Sequence, residues 1–337
     1  MGRPHALFRT GFPYLKTIGM RRVTSYAIDV AVTDDDRLFV LCRGDTTAEV
    51  RRTDMDDVDH GSFGGRGTAE GKFTWPASLA VGPDGNLYIS DEALNRISIF
   101  SLDGEFISCW GSPGSGEGQL DRPSGLRFDG DGNLYLSDTM NHRVQKFSKD
   151  GEFLQSWGSH GDGDGELNMP WGVDIDELGA VYVSDWRNDR IQKFGPDGQF
   201  EFAVGTSGNG RGQFDRPTGI AVDGDGDIYV SDWGNDRVQQ FAADGRYLDT
   251  FIGDATMSKC GIDYVLANPV PLRLREMTSL EPQKRFRGPL GLATDERKRL
   301  FVADYGAFRV QIYQKQAIEL SADQIAPERQ SPSLSVT

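Results

Sequence analysis

The chain has 337 residues, 42 of them Gly, with 36 basic and 51 acidic side chains and a formal net charge of −15. Apolar residues make up 37% of it and are evenly spread, which excludes wholesale disorder, and no apolar run approaches the roughly 20 residues needed to cross a bilayer. The acidic balance repels phosphate backbones and disfavours nucleic acid as a partner.

The opening residues lack the apolar stretch of a secretion signal, and Ala6 stands where a myristoylation motif requires Ser or Thr. Three cysteines, Cys42, Cys109 and Cys260, form no CxxC pair and suit buried thiols in a reducing, cytoplasmic compartment. Gly11 to Gly19 reads as a solitary strand. Ala27 to Val32 and Arg37 to Cys42 read as the first strands of a degenerate repeat unit. From Pro76 the repeat is regular: Pro76, Pro123, Pro170 and Pro217 are 47 residues apart. The strand-end Asp91, Asp138, Asp185 and Asp232 keep that step, as do Arg96, Arg143, Arg190 and Arg237. A last unit opens at Pro289, with Asp304 and Arg309 at the same offsets, after one period plus a 25-residue insertion.

Each unit reads as four short strands punctuated by Gly and Asp turns, the pattern of a propeller blade. Blades near 20–66, 67–113, 114–160, 161–207, 208–253 and 285–315 predict an all-β, six-bladed propeller spanning 11–315. The last unit stops after its third strand, at Tyr313. Residues 11–19 are expected to supply the fourth strand, which removes an exposed sheet edge. Residues 254–286 are an inserted loop or lid, within which LRLREM suits a short helix, and 316–337 a loose tail.

The segments DTMNHRVQKF, DWRNDRIQKF and DWGNDRVQQF resemble NHL repeats, and the six units resemble the NHL six-bladed β-propellers over about residues 11 to 315. The resemblance implies the fold. Its members bind RNA or protein, act as bacterial sensor domains, or are an amidating lyase with zinc. That lyase places ligand histidines directly after the strand-opening prolines, where this chain has Ala77, Ser124, Trp171, Thr218 and Leu290. No metal or other cofactor is therefore expected. The chain has four histidines, and the sequence leaves open whether His60, His142 and His160 approach one another. No G-x-S-x-G elbow supports a serine nucleophile.

The strand-end Asp and the Arg five residues on are expected to pair in five blades. Turns such as those at Asp129 and Asp223 match a calcium loop only in part, lacking its central Gly and its final Glu, and read as hairpin turns that gather acid on the bottom face. Function is sought where blades differ, on the top face, where the loop entering each first strand and the loop between the second and third strands open. There Trp171, Trp186, Trp233 and Tyr305 are expected to wall a mouth opposite Arg43 and Glu92, with Arg122, Arg216 and Arg287 beside the strand-opening prolines. The insertion leads into the same face. These features predict a ligand- or protein-binding monomer that takes a small molecule or a protein segment on this face, under the 254–286 insertion; a lyase or hydrolase using the same pocket is the alternative. Inside the ring, Arg127 and Asp174 replace the Ala of other blades and are expected to form an ion pair.

Overall fold

A computed structural model describes residues 8–21, 23–268 and 281–319. Its six four-stranded antiparallel sheets are the six blades. Blade one comprises β3 (Ala27–Val32), β4 (Arg37–Arg43), β5 (Ala48–Asp54) and β6 (Ser62–Gly64); blade two β7 (Pro76–Val81), β8 (Leu87–Asp91), β9 (Arg96–Phe100) and β10 (Phe106–Trp110). Blade three holds β11 (Pro123–Phe128), β12 (Leu134–Asp138), β13 (Arg143–Phe147) and β14 (Phe153–Trp157); blade four β15 (Pro170–Ile175), β16 (Val181–Asp185), β17 (Arg190–Phe194) and β18 (Phe200–Val204). Blade five has β19 (Pro217–Val222), β20 (Ile228–Asp232), β21 (Arg237–Phe241) and β22 (Tyr247–Phe251), and blade six β23 (Pro289–Thr294), β24 (Arg299–Asp304) and β25 (Arg309–Gln314). The second strand of blades two to five is buried along its whole length, whereas their outermost strands are mostly half-buried or exposed. That contrast explains why the second strands are near-continuous apolar runs in the sequence.

Strand β2 (Tyr14–Ile18) completes blade six, pairing antiparallel with β25 from Tyr14↔Tyr313 to Ile18↔Val310. Phe12 beside it packs edge-on against Tyr229 and Phe251, so closure also buries aromatic surface. One expectation is corrected here. Gln316–Glu319 (β26), placed in the loose tail by the sequence, pairs with β1 (Phe8–Gly11) as a separate two-stranded ribbon.

Around the axis the innermost strands approach closely at their third residue, which is Gly125, Gly172, Gly219 or Gly291 in four blades. A Cβ on Gly219 would stand 2.1 Å from the Leu290 carbonyl oxygen, so backbone would have to move. Gly219→Ala is therefore expected to cost about 1–3 kcal/mol in denaturant unfolding, as overpacking does.

Blades two to six are each tied by a strand-end aspartate, whereas the second strand of blade one ends in Cys42 and Arg43. In blades three to six Arg143, Arg190, Arg237 and Arg309 donate from Nε to Asp138, Asp185, Asp232 and Asp304 at 2.6–2.8 Å, and a Gln from the third strand donates to the same carboxylate. Blade two departs from the expected pairing. The Asp91 carboxylate is taken by the N–H groups of Thr74, Trp75, Ala93 and Leu94, and Arg96 turns to the carbonyls of Thr68, Ala69 and Lys72. Ser98 there replaces the Gln, and its buried hydroxyl has no partner among the described residues.

A second device joins neighbouring blades. Arg122, Met169, Arg216 and Gly288, each preceding a strand-opening Pro, have φ of +52° to +64°; each donates its N–H to a side chain of the previous blade. The acceptors are Asn95, His142 Nδ1, Asp189 and Asp236, at 2.6–3.1 Å. Accepting at Nδ1 requires a neutral His142. Burial holds its pKa below the ordinary value, helped by the neighbouring His160, against the pull of Asp185. A depressed histidine pKa means the unfolded chain binds more protons, so this seam's contribution is present above about pH 6.5 and is lost as pH falls through the folded-state value. His142→Asn, which copies Asn95 one repeat earlier, should flatten the stability-against-pH curve between about pH 5 and 7. Urea melts across that range provide the check.

Candidate functional site

The axial channel is almost filled. Its free volume is about 30 Å³, about one water's share, between the first strands of all six blades, and Trp171 stands among its lining residues. Arg127 and Asp174 meet there as expected, Nε to Oδ1 at 2.6 Å, and burial pushes the Asp174 carboxyl up against the opposing pull of Arg127. Asp29 is a third charged residue at the axis that the sequence reading passed over. It occupies the position filled by Gly in four blades, and its carboxylate accepts from Ser78 Oγ at 2.6 Å and from the N–H groups of Leu79 and Val30. Burial pushes it up to about 6 in spite of those bonds. Lining up the strand-opening residues would have exposed the anomaly, because Asp29 replaces a small residue at a crowded point.

The top-face residues form clusters in place of one wall. Trp171 and Trp186 have ring centroids 6.3 Å apart, and Arg187 covers Trp186 at 4.6 Å. Arg216 lies 4.6 Å over Trp233. Tyr305 packs against Tyr26, 5.2 Å between centroids, and Arg287 is exposed, using its backbone to bond Asp304 and Gly306. The densest cluster is between blades one, two and three. Arg43 donates from Nη1 to Glu92 at 3.1 Å and to the Pro76 carbonyl at 3.0 Å while its guanidinium stacks on Trp75 at 4.6 Å. Arg43 and Glu92 side chains are only 10% and 12% exposed. Burial raises the Glu92 pKa, with Arg43 and then Arg122 pulling it down.

Next to this pair a hollow of about 510 Å³ opens on the top face, lined by Thr74, Trp75, Glu92, Asn95, Asp121 and Arg122 among others. Two of the predicted residues, Glu92 and Arg122, meet in it; Trp75 is 42% exposed there. Asn95 and Asp121 were not singled out. Both lie outside the positions compared between blades, Asn95 directly before the repeated Arg96 and Asp121 two residues before Pro123.

The insertion was expected over this face. Its described part contains α1 (Lys259–Leu266) and α2 (Glu281–Lys284), and LRLREM lies outside the described residues. Asp254 donates its N–H to Gln311, Thr256 bonds the Tyr14 hydroxyl, and the Cys260 N–H bonds Asp57. Those partners belong to blade six and to the bend after β5. Cys42 is buried, as expected, but Cys109 and Cys260 are partly exposed, and burial pushes the Cys260 thiol up to about 11.

His142 and His160 rings approach to 4.4 Å, whereas His60 bonds Asp54 at 2.7 Å in blade one. Among the described residues no three His, Cys, Asp or Glu side chains are placed to hold a metal ion. The turn at Asp223 holds a cation of another kind: the Lys315 ammonium lies 2.6, 3.0 and 2.9 Å from Asp223, Asp225 and Asp227. No described helix is long and apolar enough to cross a membrane.

The NHL repeat family matches residues 120–147, 167–194 and 214–241. No curated protein matches the chain in sequence. Among solved structures it is similar to a gluconolactonase from Xanthomonas campestris, at 15% identity over 92% of this chain and 90% of that one, TM-score 0.59. It is also similar to a catalytically inactive virginiamycin B lyase from Staphylococcus aureus with quinupristin, at 12% identity over 94% and 90%, TM-score 0.56. A third is an auxiliary nutrient binding protein from Bacteroides thetaiotaomicron, at 13% identity over 90% and 72%, TM-score 0.59. Likeness at this identity speaks for the fold alone. With three repeats matched in register and six blades closed by the N-terminal strand, the chain is a six-bladed β-propeller that carries NHL repeats in blades three, four and five.

Proposed function

We propose that this propeller is a binding module that receives a small polar ligand in the hollow between blades two and three, on its top face. The observation that carries this reading is the contrast in free volume: about 30 Å³ on the axis against about 510 Å³ beside Trp75, Glu92 and Arg122. Small-molecule sites occupy about 300–1,000 Å³ and combine apolar surface with a few convergent polar groups. A protein segment would use the Arg216–Trp233 and Trp171–Trp186 pairs on the same face and would not need a hollow. The lyase or hydrolase reading keeps one specific support, since Glu92 is a carboxyl lining this hollow with a pKa raised by burial. Structural neighbours named for lyase, lactonase and nutrient-binding roles are compatible with either.

A thermal-shift screen against small polar metabolites tests the reading. A ligand present at 100 times its Kd stabilises by about 2.7 kcal/mol. The shift should vanish in Trp75→Ala and persist in Trp171→Ala. The reverse pattern would move the site to the axis. Consumption of the ligand during incubation would turn the module into an enzyme.

A further inference from the structure

The polar groups of the hollow specify what kind of ligand it takes. Among the described residues, the Arg122 guanidinium and the Asp121 carboxylate have no hydrogen bond or ion pair, and Glu92 uses only Oε1, on Arg43. Asn95 accepts from the Arg122 N–H through Oδ1 and leaves its amide NH₂ available. Donors and acceptors thus face the same space, and charges of both signs flank it. An anion bound by Arg122 would meet two carboxylates, and a cation bound by those carboxylates would meet Arg122. A neutral ligand whose groups both donate and accept meets neither penalty, and hydroxyls have that property.

Trp75 adds the second half of the argument. Arg43 occupies one side of the indole at 4.6 Å, which fixes the ring, while the side chain stays 42% exposed into the hollow. A fixed, exposed indole next to unpartnered hydrogen-bonding groups suits a ligand with a flat C–H face and a hydroxyl-bearing edge. We propose that the hollow is a carbohydrate site, taking a neutral mono- or disaccharide with one ring face on Trp75 and its hydroxyls on Asn95, Asp121, Arg122 and Glu92. This rests on the binding reading above and names its ligand class.

The test is a titration of the full chain, followed by tryptophan fluorescence and calorimetry, with glucose, galactose, mannose, maltose, cellobiose and lactose. Glucuronate, glucosamine and citrate serve as charged comparators. At least one neutral sugar should bind with Kd below about 10 mM. Trp75→Ala should weaken it at least about tenfold, as should Asp121→Asn combined with Arg122→Gln, a half-buried and an exposed side chain that form none of the fold's described hydrogen bonds, whereas Trp233→Ala should not. Binding confined to a charged comparator and lost in Trp75→Ala would overturn the sugar assignment while sustaining the hollow as a binding site. Sugar binding that survives both sets of changes, or the absence of binding by any compound, would overturn the assignment to this hollow. Thermal melts of each variant separate lost binding from lost folding.

Discussion

Asp185→Ala is expected to destabilise the propeller by about 3–5 kcal/mol, the usual cost of breaking a buried ion pair from one side. The carboxylate is fully buried and accepts from the Asn168 N–H, Asn188 Nδ2, Arg190 Nε and Gln192 Nε2 at 2.7–3.0 Å. Removing it strands four donors, one of them charged, at the junction of a blade with the loop that enters it. Arg190 still reaches the carbonyls of Asp162, Gly163 and Glu166, so it cannot swing out to water without breaking those bonds too. Asp91→Ala is the internal comparison. There the carboxylate serves backbone N–H groups with no Arg pair, and the loss should be smaller than for Asp185→Ala. Urea unfolding of both variants measures the difference; equal losses would show that the Arg bond adds nothing.

Lys315→Met should cost a comparable amount, about 3–5 kcal/mol at neutral pH. Its ammonium is 4% exposed; burial alone would lower its pKa, yet Asp223 and Asp227 hold it above the ordinary value. Without it, Asp223, Asp225 and Asp227 face one another with no compensating cation among the described residues beyond Lys298, which reaches only Asp225. Buried carboxylates without a cation titrate above their unfolded value, so the native variant binds the extra protons and its deficit shrinks as pH falls toward the carboxylate range. Wild type should recover less, because Lys315 pulls the Asp225 and Asp227 carboxyls down against burial. Melts of both proteins between about pH 4 and 8 decide the sign.

The blades were legible because their turns repeat. A Pro, an Asp fifteen residues on and an Arg five further each perform a local job, and the same job recurs every 47 residues. Closure by residues 11–19 was legible for the same reason, as a strand missing at one end and spare at the other. The Arg127–Asp174 pair could be read because equivalent positions in adjacent blades are neighbours in a ring. Three features escaped. Asp29 was hidden by the poor match of the first blade to the others. Lys315 is the last residue assigned to the final blade, one past its third strand, and only the folded ring brings it to the turn at Asp223. The top-face aromatics were grouped by repeat position alone, but position around the ring separates them: Trp171 and Trp186 belong to one cluster, Trp233 to another, and Trp75 to the hollow. Repeat arithmetic gives the blade and the level of a residue, whereas a cavity depends on side-chain size in two neighbouring blades at once.

The central claim is that ligand binds beside Trp75 and not on the axis. The indole N–H resonances of the six tryptophans, followed during titration with the tightest-binding sugar, test it most directly. The Trp75 resonance should shift with saturation while that of Trp171, at the channel, stays in place. Movement of Trp171 with Trp75 unchanged would place the ligand on the axis and contradict the account.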